Sequence, residues 1–181
     1  MGHPEPIVLV ERLEAVDGSA AACRLQLPLA ADQRTSLRGL RRSACGRDLL
    51  LQLPRGAALQ PGEWLASSDA AALVQVSAAP EPVMRVRAAE PLALLQAAYH
   101  LGNRHVAMEL RADQLLLLQD SVLADLLRQR GLAVECLLAP FCPEAGAYPG
   151  HSHSHSSSHG DGHHDHGHDG PAAAGSALRQ P

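Results

Sequence analysis

Aromatic residues and lysine are scarce in this chain. Of its 181 residues only 2% are Phe, Trp or Tyr, and all 15 cationic residues are Arg. We therefore expect an aliphatic core and few rings on which nucleic-acid bases could stack. The formal net charge of -4 also provides no excess of cations for a phosphate backbone. No nucleic-acid partner is expected.

Long hydrophobic runs and paired cysteines are missing as well. No stretch of about 18 apolar residues is present to span a membrane, and Glu5 stands where a secretory signal would carry cations. The four cysteines form no CxxC pair, and a chain of this length needs no disulfide to hold its core. These features predict a cytoplasmic protein with no membrane partner.

The C-terminal segment differs in composition from the rest of the chain. Eight of the 11 His fall between His151 and His168, interleaved with Ser, Gly and Asp, and Leu178 is the only large apolar residue that follows. Such a segment cannot bury enough apolar surface to offset the entropy of ordering its backbone. We expect residues 149–181, the His-rich tail, to be disordered and the folded part to end near Tyr148.

A change of pattern near Pro80 and Pro82 divides the folded part in two. Before it, short apolar runs alternate with Pro and Gly, which is typical of strands joined by turns. Residues 1–79 are therefore predicted to form a small β-rich domain, with Arg34–Arg42 as a cation-rich, exposed surface beside its sheet. The predicted strands include Ile7–Val10, Cys23–Leu29, Leu49–Leu53 and Leu73–Val76.

Residues 80–148 contain two predicted helices. Pro91 suits a first helical position and Gly102 suits the end of that helix. Asp120 is a suitable N-cap for the second helix, which Gly131 ends. The apolar residues at helical spacing are Leu92, Leu95, Ala98 and Tyr99 in the first helix, and Val122, Leu123, Leu126 and Leu127 in the second.

Four short apolar runs surround these helices and are predicted to be strands. The resulting order, βαββαβ, is that of a ferredoxin-like domain, a sheet with two helices on one face. The chain as a whole is therefore predicted to be α+β. The four runs are Val83–Val86, His105–Leu110, Leu115–Leu118 and Leu132–Leu138.

The His-rich tail is the first candidate metal site. Neutral imidazole is a suitable ligand for Ni, Zn and Cu, and flexible donors do not impose one geometry, so we expect the tail to bind several divalent ions in Irving–Williams order. Without a metal role, the segment would be a solvated linker or a purification tag. The predicted ligands are His151, His153, His155, His159, His163, His164, His166 and His168.

A second candidate site is the pair His100 and His105, in the segment AAYHLGNRHV. Gly102 and Asn103 both tolerate left-handed backbone conformations, which places His100 in the last helical turn and His105 just after the turn that ends it. A single His at such a position is more often a hydrogen-bonded structural residue than a ligand. Spacing alone does not choose between the two roles.

Three segments carry a family resemblance. They are LPRG at residues 53–56, YHLGNRHV at 99–106 and FCPEAGAY at 141–148. Together with the His-rich tail, they resemble the UreE family, the nickel metallochaperones of urease maturation. The resemblance covers nearly the whole chain.

The resemblance implies a homodimer in which His105 of each subunit ligates one shared Ni(II) ion. His100 is less clearly a ligand in this family. It also implies an N-terminal domain that contacts partners, followed by a ferredoxin-like metal domain. Many members carry a stretch like HHDH at the start of the second metal-domain helix, whereas this chain has LQDS at Leu118–Ser121. That auxiliary site is therefore expected to be absent.

The expected function is that of a carrier and not of an enzyme. The protein would deliver Ni(II) to apo-urease together with the urease accessory GTPase, and Zn(II) or Cu(II) would also bind in vitro. An RNA-binding module and a metal-dependent hydrolase fit less well, because strand aromatics and an HExxH motif are missing. Storage or buffering of nickel or zinc by the tail is the remaining alternative.

Overall fold

Two β-sheets, each built from consecutive strands, organise the computed structural model, which describes residues 4–13 and 23–145. The chain divides into two compact units, residues 1–150 and 151–181, and every described residue belongs to the first unit. The predicted α+β class is confirmed. No helix within these described ranges has both the length and the apolar character needed to cross a bilayer.

The first sheet has six strands in the order β2-β6-β5-β1-β4-β3. Parallel pairs join β1 to β4 and β2 to β6, and the other neighbours are antiparallel. A short helix, α1 (Ala31–Thr35), connects the two edge strands. The strands are β1 (Ile7–Leu13), β2 (Cys23–Leu29), β3 (Arg38–Arg42), β4 (Asp48–Gln52), β5 (Trp64–Ser67) and β6 (Ala72–Ala78).

The core of the first sheet is aliphatic, as the scarcity of aromatic residues predicts. Leucine and valine side chains from five of its strands and from the loop after β4 pack together with almost no exposure. Strands β3 and β5 were not predicted from the sequence. The segment of β3 was expected to be a surface beside the sheet, and β5 is only four residues long and follows a turn that contains Pro61 and Gly62. The buried cluster consists of Leu9, Leu27, Leu29, Leu49, Leu51, Leu53, Leu59, Leu65, Val74 and Val76.

The second sheet has four antiparallel strands in the order β10-β7-β9-β8. Alternate residues of β7 and β9, such as Met84 and Leu117, pack in one cluster with buried side chains of both helices. The helices therefore cover one face of this sheet. The elements are β7 (Pro80–Arg87), α2 (Pro91–Gly102), β8 (Glu109–Leu110), β9 (Leu115–Leu118), α3 (Ser121–Gln129) and β10 (Ala133–Pro140).

The predicted starts of both helices are confirmed. Pro91 occupies the first turn of α2, where its missing N–H removes no intrahelical hydrogen bond. At α3, the Asp120 carboxylate accepts a hydrogen bond of 2.9 Å from the Leu123 N–H. This cap satisfies one of the backbone donors that a helix leaves unpaired at its N-terminus.

Two details of the second sheet differ from the sequence prediction. In α2 the buried side chains are Leu94, Ala97 and Leu101, whereas Leu92, Leu95 and Tyr99 are exposed. Both sets recur at helical spacing, so periodicity could not decide which one faces the sheet. The predicted strand His105–Leu110 is also shorter, because β8 begins only at Glu109.

In α3, the predicted apolar face is only partly buried. Leu127 is buried, and Leu123 and Leu126 pack against the same core, but Val122 is exposed. Ala124, which the pattern did not include, is buried instead. A small residue is suited to this position, because the helix there packs closely on the sheet.

Arg34 corrects the prediction of an exposed cationic surface at Arg34–Arg42. It lies in α1 with only 5% of its surface exposed. Its guanidinium donates to the Leu29 carbonyl oxygen at 3.2 Å and to the Phe141 carbonyl oxygen at 2.7 Å. Phe141 also packs with Val83 and Leu116 of the second sheet. Arg34 therefore ties the first sheet to the segment that follows β10.

We predict that Arg34→Met lowers the free energy of unfolding by about 2–4 kcal/mol, because two buried carbonyl oxygens lose a charged donor. Methionine keeps much of the apolar stem, so the loss reports mainly on the hydrogen bonds. Urea denaturation followed by circular dichroism measures the change. The matched control is Arg87→Met, at an exposed position on β7, for which we expect a change within about 0.5 kcal/mol. Equal effects of the two substitutions would contradict the structural role of Arg34.

Candidate metal centre

His105 occupies an unusual backbone position just beyond helix α2. Its φ is 56°, in the left-handed region that non-glycine residues rarely adopt. The His105 N–H donates to the Gly102 carbonyl oxygen at 2.9 Å, and the next N–H, of Val106, donates to the Leu101 carbonyl oxygen at 3.1 Å. This pair of bonds is the Schellman motif, in which the left-handed residue is usually glycine.

Helix α3 provides an internal comparison because it ends in the same motif. There, Gly131 has a φ of 79° and its N–H donates to the Arg128 carbonyl oxygen at 2.9 Å. The N–H of Leu132 donates to the Leu127 carbonyl oxygen at 3.1 Å. Helix α3 thus ends with glycine, the residue that the left-handed geometry favours. Helix α2 has His105 at the same position, at an energetic cost of about 1–2 kcal/mol.

The sequence prediction assigned the left-handed conformation to Gly102 or Asn103. Instead, the helix continues through Gly102, and Asn103 has an ordinary helical φ of -63°. The residues around His105 explain this outcome, because Leu101 is buried and Val106 packs against the same core. Burial of these two side chains closes the turn and leaves the exposed His105 at its tip.

His100 has different surroundings, although it is also exposed. It lines a small cavity of about 40 Å³ between α2 and α3, together with Arg104 and Arg130. Its ring meets that of Tyr99 edge-on, with the ring centroids 5.5 Å apart. Two guanidinium groups beside His100 oppose the approach of a divalent cation. Of the two predicted residues, His105 is therefore the better placed to hold a metal ion.

The described residues do not contain a complete metal site. Within residues 4–13 and 23–145, no three His, Cys, Asp or Glu side chains are grouped so as to hold an ion. The eight predicted tail ligands, His151 to His168, lie outside the described residues. Any site at His105 therefore needs ligands from a second copy of the chain, from the tail or from solvent.

Side chains at the start of α3 and the cysteines do not add ligands beside His105. The Asp120 carboxylate caps α3, and the Gln119 amide donates to the Val83 carbonyl oxygen at 3.4 Å. Cys136 is exposed on β10, where it lines a cavity with residues of α3. The described part of the chain contains four free thiols and no disulfide.

Two side chains in turns of the first sheet, Asp69 and Cys45, have lowered pKa values. Hydrogen bonds from the Ser67 hydroxyl, at 2.6 Å, and from the Ala71 N–H lower the pKa of Asp69. Contact with the Ser43 hydroxyl at 3.3 Å and a hydrogen bond with the Arg47 backbone lower the pKa of the exposed Cys45. These shifts stabilise the charged forms of the two groups locally.

An apolar stripe on α2, which the sequence prediction took for the buried face of the helix, is exposed. Leu92, Leu95 and Tyr99 are spaced along one side of the helix and are 64%, 67% and 67% exposed. Such a contiguous apolar surface is typical of an interaction site. The helical spacing of these residues was read from the sequence, but only the packing of α2 shows that this side faces away from the sheet.

Comparison with known proteins relates the chain to one family. Residues 81–169 match the family model described as UreE urease accessory protein, C-terminal domain. A urease accessory protein UreE of Parasynechococcus marenigrum is 54% identical over 147 residues, which cover 81% of this chain and 96% of the relative. The protein of the same name from a Synechococcus species is 58% identical over 138 residues, covering 76% and 88%. The one from Thermosynechococcus vestitus is 52% identical over 130 residues, covering 72% and 90%.

The backbone of His105 leads to a prediction about stability. We expect His105→Gly to be more stable than His105→Ala by about 1 kcal/mol, because glycine adopts the left-handed conformation without a Cβ clash. Gln96 provides the control at an exposed position inside α2, where Gly should be less stable than Ala by about 0.5–1 kcal/mol. Urea denaturation of the four variants measures both differences. The same order of stability at positions 105 and 96 would contradict the left-handed conformation of His105.

Proposed function

Because the chain belongs to the UreE family of urease accessory proteins, which implies a role in urease maturation, we propose that it carries Ni(II) to apo-urease. It acts with the urease-activating GTPase in the cytoplasm, as a metallochaperone and not as an enzyme. The observation that carries this proposal is the exposed His105, held by a closed turn at the end of α2. A fixed, accessible imidazole is suited to present an ion to a second protein.

We further propose that residues 80–148 form a ferredoxin-like metal-binding domain and residues 1–79 a partner-binding domain. The order of elements from β7 to β10 and the strand order β10-β7-β9-β8 support the first assignment. The change from one sheet to the other between Ala78 and Pro80 supports the boundary. In this arrangement the metal-binding turn and the six-stranded sheet belong to different parts of the protein.

The active form in this proposal is a homodimer that pairs the apolar stripe of two copies. A two-fold axis brings the same surface of both subunits together, so a stripe of large apolar side chains on one helix is self-complementary. Tyr99, at the end of the stripe, lies only six residues before His105. Pairing along α2 would therefore bring two His105 rings toward a shared ion.

A site of this kind is better suited to transferring a Ni(II) ion than to retaining it. Two imidazoles leave most coordination positions of Ni(II) open, so a receiving protein can bind the ion before the carrier has released it. Zn(II) and Cu(II) also bind imidazole, and we expect both to occupy the site in vitro. Selectivity for nickel would then arise from the partners and from metal supply.

The His-rich tail would supply further ligands from a nearby starting point. The Glu144 N–H donates to the Met108 carbonyl oxygen at 2.8 Å, so the described chain ends close to the segment after His105. A chain of 18 residues, the span from His151 to His168, has a root-mean-square extension of roughly 21–25 Å if it behaves as a random coil. Tethering raises the effective ligand concentration at the His105 site. In the alternative function, the tail itself is a store or buffer for nickel or zinc.

The first test of the carrier is nickel titration of His105→Ala by isothermal calorimetry. We expect the tightest binding event to disappear, with at least about a hundredfold loss of affinity, because the ion loses both fixed imidazoles. His100→Ala is the matched control and should retain that event. Unchanged affinity in His105→Ala would remove this residue from the site.

The second test separates a carrier from a store. Deletion of residues 149–181 should reduce the number of nickel ions per dimer but leave one ion bound and the dimer intact. Equilibrium dialysis combined with light scattering measures both quantities, and activation of apo-urease measures function. Loss of most activation on deletion, together with full activation by His105→Ala, would favour storage by the tail.

A further inference from the structure

The two edge strands of the first sheet border a cleft. Strands β2 and β3 are at opposite ends of the strand order, yet the Ala44 N–H, just after β3, donates to the Gln26 carbonyl oxygen of β2 at 2.9 Å. The sheet therefore curls until its two edges meet at this point. Beyond it lies a cleft of about 470 Å³, lined by Pro28, Leu29, Gln33, Leu40, Arg41, Arg42 and Asp48.

The backbone of β3 faces this cleft with hydrogen-bonding groups. The Leu37 carbonyl oxygen accepts from the Leu53 N–H, and the Ser43 N–H donates to the Arg47 carbonyl oxygen. In an antiparallel pair alternate residues bond to the neighbouring strand, so these odd-numbered residues bond toward β4. The backbone N–H and C=O groups of the even-numbered residues Arg38, Leu40 and Arg42 then point away from β4, as the N–H of Ala44 does. Within the described residues no strand pairs with this edge of β3.

The side chains along β3 make the cleft cationic. Arg41 and Arg42 line the cleft, Arg38 belongs to the same strand, and Asp48 is the one acidic residue of the lining. Asp48 lies 3.2 Å from the Nε of Arg42. The Nε of Arg41 is buried and has no hydrogen-bond partner among the described residues. Because a buried donor without a partner is costly, it points to an acceptor beyond the described residues.

Leu40 adds an apolar contact between the arginines. It lies in the middle of β3, lines the cleft and is 58% exposed. Pro28, on the opposite edge, has no backbone N–H to donate, so β3 offers the better edge for pairing. Side chains two residues apart share a face of a strand, so Arg38, Leu40 and Arg42 lie on one side of β3. A partner strand with carboxylates along one face would therefore match the backbone and the charge of this edge.

We propose that this cleft binds an extended acidic segment of a partner protein, which adds as a strand to the edge of β3. Main-chain hydrogen bonds would supply affinity, and the three arginines would select carboxylate side chains. None of the residues that line the cleft belongs to the α2–β8 segment that carries His105. The proposal rests on the proposed partner-binding role of residues 1–79, which it makes specific, and it stands or fails independently of nickel binding.

The test uses the full-length protein and a fluorescein-labelled eight-residue peptide that alternates Val and Glu. Fluorescence anisotropy should detect binding of this peptide, with at least about tenfold weaker binding of a Val–Lys peptide. The double variant Arg38→Gln, Arg42→Gln should bind the Val–Glu peptide about tenfold more weakly or worse, because two charge-assisted contacts are lost. Arg87→Gln, an exposed arginine of the second sheet, is the matched control and should leave binding unchanged.

Two further measurements distinguish strand addition from simple anion binding. Binding of the Val–Glu peptide should slow amide hydrogen exchange at residues 38–42, and N-methylation of alternate peptide residues should abolish binding. Failure of the Val–Glu peptide to bind, or equal binding by the double variant and Arg87→Gln, would overturn the proposal. Equal binding of the N-methylated peptide, with displacement by tripolyphosphate, would identify an anion site and would also overturn it.

Discussion

The closed turn at the end of α2 is the constraint on which the candidate metal centre depends. Its two backbone hydrogen bonds enclose His105, and the residues on both sides, Leu101 and Val106, are held by the core of the second sheet. The backbone position of His105 is therefore fixed by the burial of its neighbours and not by metal binding. A ligand that is placed in advance loses less conformational entropy when an ion binds.

The two histidines have different surroundings, which makes them unequal candidates for binding a cation. His100 lies beside Arg104 and Arg130, where positive charge opposes a cation, whereas His105 is at the tip of the turn. The apolar stripe of α2 leads along the helix toward this turn. An exposed imidazole and an exposed apolar surface are compatible properties, because both depend on this helix remaining uncovered by the other described residues.

Local sequence signals predicted the parts of the fold that depend on local chemistry. Asp120 has a capping side chain and Pro91 has a fixed φ, and both helices begin where these residues place them. The predicted side of α2 and the exposed setting of Arg34 were wrong, because each depends on packing against residues far away in the sequence. The left-handed backbone of His105 could not be predicted from the sequence either, since Gly102 is the better local candidate for that conformation. The family resemblance, and not spacing, singled out His105 as a ligand.

The link between Arg34 and Phe141 has a consequence for the order in which the molecule is completed during translation. All strands of the first sheet come from residues 7–78, so this sheet can form before the second has left the ribosome. Arg34 then has Leu29 as an acceptor, but its other acceptor lies 107 residues further along the chain. Phe141 directly follows β10, the strand that closes the second sheet. The guanidinium buried early in synthesis is thus fully paired only when the sheet that supports the turn at His105 is finished.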